Sequence, residues 1–146
     1  MKKKKIDEVF TFYKSIHGTI KLEYVEEGIS AGFPSPADDF KNKRISLDEE
    51  LIADVNSTYY ARVSGESMID AGLDDNDLLV IDKSIPARDG KIAVCRVDGE
   101  YTVKRLKFTD ECVYLMPAND NYKPIKITGE KQLLVWGIVT YVIKKV

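Results

Sequence analysis

The sequence predicts a mostly β domain of about 95 residues, a sandwich or partly closed barrel, with one short helix and a flexible N-terminal arm. Three observations carry this. Short runs rich in β-branched and aromatic residues follow one another from Tyr59 to Ile143. Turn signals punctuate them, among them Ala71-Gly72, Asp98-Gly99 and Pro117-Ala118-Asn119-Asp120-Asn121. A helix start signal stands out in one place only, at Ser46.

Residues 1–31 read as the arm. It opens on Met1-Lys2-Lys3-Lys4-Lys5 and mixes aromatics (Phe10, Phe12, Tyr13) with acids (Glu23, Glu26, Glu27). From Phe10 to Tyr24 hydrophobicity alternates weakly, which predicts one or two short strands. The arm is too short and too poor in helical periodicity for a helix-turn-helix. The lysine run reads as a solvated terminus. Residues 32–45 read as a linker, within a Gly-, Ser- and Pro-rich stretch that begins at Gly28 and includes Ala31-Gly32-Phe33-Pro34-Ser35-Pro36-Ala37. Each proline disfavours helix at the residue before it, so Phe33 and Ser35 are expected to be extended. Extended, accessible chain is what a protease binds, and a plain hinge has the same composition.

Residues 46–146 read as the β-domain. Ser46 and Glu49 have capping-box spacing for a helix over Ser46 to Ile52, with Leu47, Leu51 and Ile52 facing inward. The strand runs are Tyr59–Val63, Leu78–Ile81, Ile92–Val97, Tyr101–Phe108, Val113–Met116, Ile125–Ile127 and Leu133–Ile143. Between two of them, Val97-Asp98-Gly99-Glu100 signals a two-residue hairpin, because Asp-Gly tolerates the positive φ angles that turn needs.

Composition narrows the function. A chain of 146 residues holds one domain with a proper core plus an arm. A formal net charge of −2 and a pI near 5.5 argue against a general electrostatic grip on DNA. No apolar run approaches the roughly 20 residues that span a bilayer, and the basic start lacks the apolar segment of a signal peptide. The two cysteines, Cys95 and Cys112, have neither metal spacing nor a C-x-x-C pattern. They read as reduced core thiols of a cytoplasmic protein. Asp74, Asp75, Asp77 and Asp82 around Asn76 do not match a calcium loop and read as a solvated turn, so no metal and no cofactor are expected. Trp136 reads as core or dimer interface.

Two residues suggest chemistry. Ser67, in Ser64-Gly65-Glu66-Ser67-Met68-Ile69-Asp70, follows a glycine that permits a tight turn. A hydroxyl beside oriented backbone N–H groups is what a serine nucleophile requires, although Ser-Gly-x-Ser alone also describes ordinary turns. Lys104 shares a strand face with Thr102, Leu106 and Phe108, while Tyr101, Val103, Arg105 and Lys107 take the other. A buried lysine loses its proton readily and serves as a base, whereas a lysine that snorkels to the sheet edge does not. The pattern leaves both open. The single histidine, His17, lies upstream of Ala31-Gly32, which disfavours a histidine triad.

Taken together, Ala31-Gly32, Ser64-Gly65-Glu66-Ser67-Met68, Asp75-Asn76-Asp77-Leu78-Leu79-Val80 and Thr102-Val103-Lys104-Arg105-Leu106, in this order, resemble the LexA/UmuD family of self-cleaving serine–lysine peptidases. The resemblance runs from about Ile29 to Val142. The Gly32–Ala37 segment, Asp70 and Asp98-Gly99-Glu100 favour its mutagenesis-protein branch over its repressors. It implies that Ala31–Gly32 is the scissile bond, Ser67 the nucleophile, Lys104 the base, and the amides of Glu66 and Ser67 the oxyanion donors. It further implies stimulation by a RecA filament on single-stranded DNA, and removal of the arm to leave a truncated homodimer serving an error-prone Y-family (UmuC-like) polymerase in translesion synthesis. Sequence-specific DNA binding and membrane association are not expected. Two other readings stand beside this one: a phage-type, LexA-like repressor fragment, which would need a DNA-binding helix pair, and a non-catalytic β-domain that mediates assembly.

Overall fold

The computed structural model describes residues 12–14, 18, 20–24, 28–34 and 43–146. The expectations for Phe10, His17, Glu26, Glu27, the lysine run and Ser35–Ala37 lie outside the described residues. Two compact units form. One holds the chain before residue 16 together with Asp54–Val146, and the other holds Ile16–Ala53.

The larger unit is an antiparallel sheet. Its strands are β1 (Phe12–Lys14), β4 (Thr58–Arg62), β5 (Leu78–Asp82), β6 (Ile92–Val97), β7 (Glu100–Phe108), β8 (Val113–Met116), β9 (Ile125–Ile127) and β10 (Leu133–Ile143), numbered along the whole chain. Their order across the sheet is β1-β4-β5-β10-β6-β7-β8-β9. The sheet stays open, with β1 and β9 at its edges, rather than closing into a barrel. Every expected run is a strand to within a residue of its expected ends. The β6–β7 hairpin turns on Asp98 (φ 48°) and Gly99 (φ 84°), the two positive angles that Asp-Gly supplies. β10, last in sequence, lies between β5 and β6 and pairs with both. Its register shifts between Val135 and Gly137 on one side and between Val139 and Tyr141 on the other. These bulges let one long strand serve two neighbours.

Alternation along β6 and β7 feeds two cores. Val94 and Val103 pack with Ala61, Val63, Met68, Leu73, Leu79 and Ile81. Ala93, Cys95 and Leu106 pack with Leu115 and Ile138. Successive residues thus bury opposite faces of the sheet. Phe108, expected on the apolar face of β7, is exposed at the strand end.

The smaller unit pairs β2 (Leu22–Glu23) with β3 (Arg44–Ile45) and contains helix α1 (Leu47–Leu51). β1 and β2 are the two short strands within the weakly alternating stretch. The capping box does not form: Ser46 makes no side-chain cap bond. The helix is held by its backbone and by acids in its first turn, Asp48, Glu49 and Glu50, which suit the positive end of the dipole. Asp48 also accepts the Gly18 N–H at 2.6 Å. Leu47 is turned to solvent rather than inward, and Ile52 is buried. Among the described residues no helix is long and apolar enough to cross a membrane.

Candidate active site

Ser67 sits on the loop between β4 and β5, just before a 3-10 turn over Ile69–Ala71. Gly65 has φ +101°, so the loop starts with a conformation that a side chain would strain. Met68, 1% exposed, anchors the loop in the core directly after the serine. The loop is held from two sides. Asp75 accepts the Gly65 N–H at 2.8 Å. From the turn after β8, the Ala118 N–H donates to the Ser67 carbonyl and the Ala118 carbonyl accepts from the Asp70 N–H, both at 2.8 Å. The Asn119 side-chain amide donates to the Glu66 carbonyl at 2.9 Å. Among the described residues no acceptor faces the backbone N–H of Glu66 or of Ser67.

Lys104 lies on β7 opposite Ala93 of β6. The residue is buried, only 7% exposed. Nζ is 2.8 Å from Ser67 Oγ, 2.8 Å from Thr102 Oγ1 and 3.0 Å from the Val103 carbonyl. Burial lowers the lysine pKa to about 8. Cys95, across from Thr102, does not offset this: burial pushes its thiol up to about 12, so it carries no charge near neutral pH.

This geometry has a direct chemical meaning. An ammonium has three N–H donors and would fill all three acceptors. A neutral amine keeps two N–H bonds, to Thr102 and Val103. Its lone pair then points at the serine hydroxyl, ready to accept that proton.

Ala31 and Gly32 lie in the smaller unit, and both are exposed. The backbone bends through Ala31–Phe33, where the prolines led to an expectation of extension. The cause is local: the Ser30 hydroxyl donates to the Phe33 carbonyl. Phe33 is 93% exposed.

Two further readings change. The acidic turn is not merely solvated. Asp77 and Asp82 are buried, Lys144 pairs with both Asp74 and Asp77, and Asp82 accepts from Ser57 and from the Ser84 N–H and hydroxyl. Cys95 is a free core thiol, but Cys112 lies half-buried in the β7–β8 turn, tied by its backbone to Thr109. Trp136, read as core or dimer interface, is partly buried and packs against the core and among Phe12, Tyr59 and Tyr101.

The sequence analysis gave no site role to Thr102, Val103, Ala118, Asn119 or Asp75. For Thr102 a signal existed, since alternation sets it on the Lys104 face. For the others the partner is a distant backbone atom, which no local pattern announces.

Residues 23–140 match the profile of a family described as Peptidase S24-like. The chain is 40% identical to MucA of Salmonella typhimurium over 121 residues, 82% of each chain. It is 36% identical to ImpA of Escherichia coli over 115 residues, covering 79% of this chain and 78% of ImpA. It is 39% identical to the LexA repressor of Alcanivorax borkumensis over 116 residues, 80% of this chain and 56% of the repressor. The breadth of the family match, together with relatives named MucA and ImpA on one side and LexA repressors on the other, makes this chain a member of the Peptidase S24-like family.

Proposed function

We propose that the chain is an autoproteolytic serine–lysine peptidase of the SOS mutagenesis class that cuts its own Ala31–Gly32 bond. The observation that carries this is the Lys104 amine, buried and 2.8 Å from the Ser67 hydroxyl. In this reading Ser67 Oγ attacks the Ala31 carbonyl carbon while neutral Lys104 takes the hydroxyl proton. The Glu66 and Ser67 amides receive the oxygen as it gains charge. Lys104 then returns the proton to the Gly32 nitrogen as the bond breaks, and water releases the Ala31 carboxylate from the serine ester. Residues 1–31 leave as the arm, residues 32–45 act as the linker, and residues 46–146 remain as the β-domain.

The likeness to MucA and ImpA supports the wider setting. In this reading the cut is stimulated by a RecA filament on single-stranded DNA, and the truncated cytoplasmic dimer assists a Y-family, UmuC-like polymerase. Incubation of the purified chain at raised pH, followed by mass spectrometry and N-terminal sequencing, tests the chemistry. The product should begin at Gly32, and Ser67→Ala should yield none. A product with another N-terminus rejects the bond, and cleavage that survives in Ser67→Ala rejects the nucleophile. A chain that stays intact under all conditions favours the non-catalytic assembly domain.

A further inference from the structure

β1 is the outermost strand of the sheet and pairs antiparallel with β4 through Phe12↔Ala61, Tyr13↔Tyr60 and Lys14↔Tyr59. It is joined to β4 only through the stretch of chain that contains Ala31 and Gly32. Its Phe12 ring packs 4.9 Å from Trp136 and 5.3 Å from Tyr101, tilted against both. Tyr59 and Tyr101 meet the same indole edge-on at 5.1 and 6.4 Å. Lys83 Nζ lies 4.8 Å from the Trp136 ring centre and 5.5 Å from that of Tyr59. The seat is therefore built by β4, β7, β10 and the residue after β5, whereas the strand that fills it comes from the arm.

We propose that the β4 edge and the aromatic seat of Tyr59, Tyr101 and Trp136 form a strand-accepting docking site. β1 occupies it in the uncut chain. Once the arm is cut away, an extended segment of a partner protein occupies it, presenting an aromatic side chain where Phe12 lies. The timing rests on the reading of Ala31–Gly32 as the scissile bond; the site itself does not. While the chain is continuous, the connection holds β1 at a high effective concentration beside β4. Cutting removes that advantage, and a ladder of three described residues with one partly buried ring is a weak bimolecular ligand. The vacated edge then shows unpaired N–H and C=O groups flanked by wet aromatic rings, a surface that recruits another strand. The resident strand shows the chemistry of its successor. Backbone pairing with β4 gives affinity, and ring-on-ring packing in the seat selects an aromatic residue.

Trp136 is the single tryptophan of the chain, so its emission reports on the seat. In a Ser67→Ala background, which holds the chain uncut, Phe12→Ala should shift that emission to the red. It should also create a site for a synthetic peptide with the sequence of residues 9–15, binding at least tenfold tighter than to the Ser67→Ala parent, whose seat is filled. The same peptide with alanine at the position of Phe12 should lose that advantage. If Phe12→Ala fails to fold by circular dichroism, Tyr13→Pro takes its place, blocking the ladder from the arm side while leaving the seat intact. Equal peptide binding to parent and vacated chain, or an unchanged emission, overturns the proposal. Saturable filling of the vacated seat by a second, uncut copy in preference to the peptide overturns the assignment to a partner protein. None of these measurements needs cleavage, so a chain that never cuts itself would sink the proposed activity and leave the docking site standing. Cleavage at Gly32 without any change in Trp136 emission would leave the activity standing and overturn the claim that cutting vacates the seat.

Discussion

Lys104 destabilises the fold that holds it. Its pKa falls from 10.5 to about 8 because the charged form is the one burial penalises. The folded state therefore binds this proton less tightly than the unfolded chain does. Below about pH 8 the penalty is present in full, on the order of 3 kcal/mol, and it fades as pH rises through the window from about 8 to 10.5. Lys104→Met should accordingly be more stable than the parent at pH 7, with the difference closing by pH 10.5. Chemical denaturation of both chains at several pH values measures it, and a lysine chain that is the more stable at pH 7 contradicts the sign. The same pKa sets the rate. Only the neutral amine accepts the serine proton, so self-cleavage should rise about tenfold per pH unit below pH 8 and level off above it. Lys104→Arg should be inactive throughout, because guanidinium keeps its proton. The depth of burial thus sets the plateau below the range in which an ordinary lysine titrates. A first-order rate that ignores pH, or an arginine chain that keeps pace, removes lysine as the base.

Among the elements, β10 is the most constrained. At Gly137 an added Cβ would meet Ile81 Cγ2 at 2.5 Å and Lys83 Cγ at 3.4 Å. Gly137→Ala should therefore force the β5–β10 ladder apart and cost about 1–3 kcal/mol, read as a lower denaturant midpoint with an unchanged slope. A midpoint equal to the parent's would mean that the bulge beside Trp136 absorbs the methyl group. The strand itself was legible as a run of β-formers, and the Asp98-Gly99 turn as its chemistry dictates. Neither the bulges nor the central place of β10 was legible, because register depends on partners far away in sequence. The failed capping box at Ser46 has a similar cause: spacing offers the bond, and tertiary contacts decide whether it forms. At the site, alternation set Lys104 and Thr102 on one face. The Ala118–Asn119 brace on the Ser67 loop had no local signature.

For the whole molecule, acid is the weak side. Burial raises the pKa of Asp77 and Asp82, yet hydrogen bonds from Lys144 and Asp74 to the first, and from Ser84 and Ser57 to the second, bring both below 3.8. Groups with depressed folded pKa values contribute stability above their unfolded value and lose it as pH falls through the folded one. Stability should thus hold down to about pH 4 and decline below it, less steeply in Asp82→Asn, which is already weakened at neutral pH. Thermal melts from pH 6 to pH 2 test this, and parallel curves for the two chains would discount Asp82.

The strand order also governs when the chain becomes able to act. Ser67 belongs to the β4–β5 half of the sheet and Lys104 to the β6–β7 half, and the strand between the halves is β10. During synthesis both halves leave the ribosome before the strand that joins them. A nascent chain that has not yet reached Leu133–Ile143 has Ser67 and Lys104 but not the strand that joins their two halves of the sheet. Translation is then its own safeguard: the serine and the lysine are brought into register only after β10 has been made.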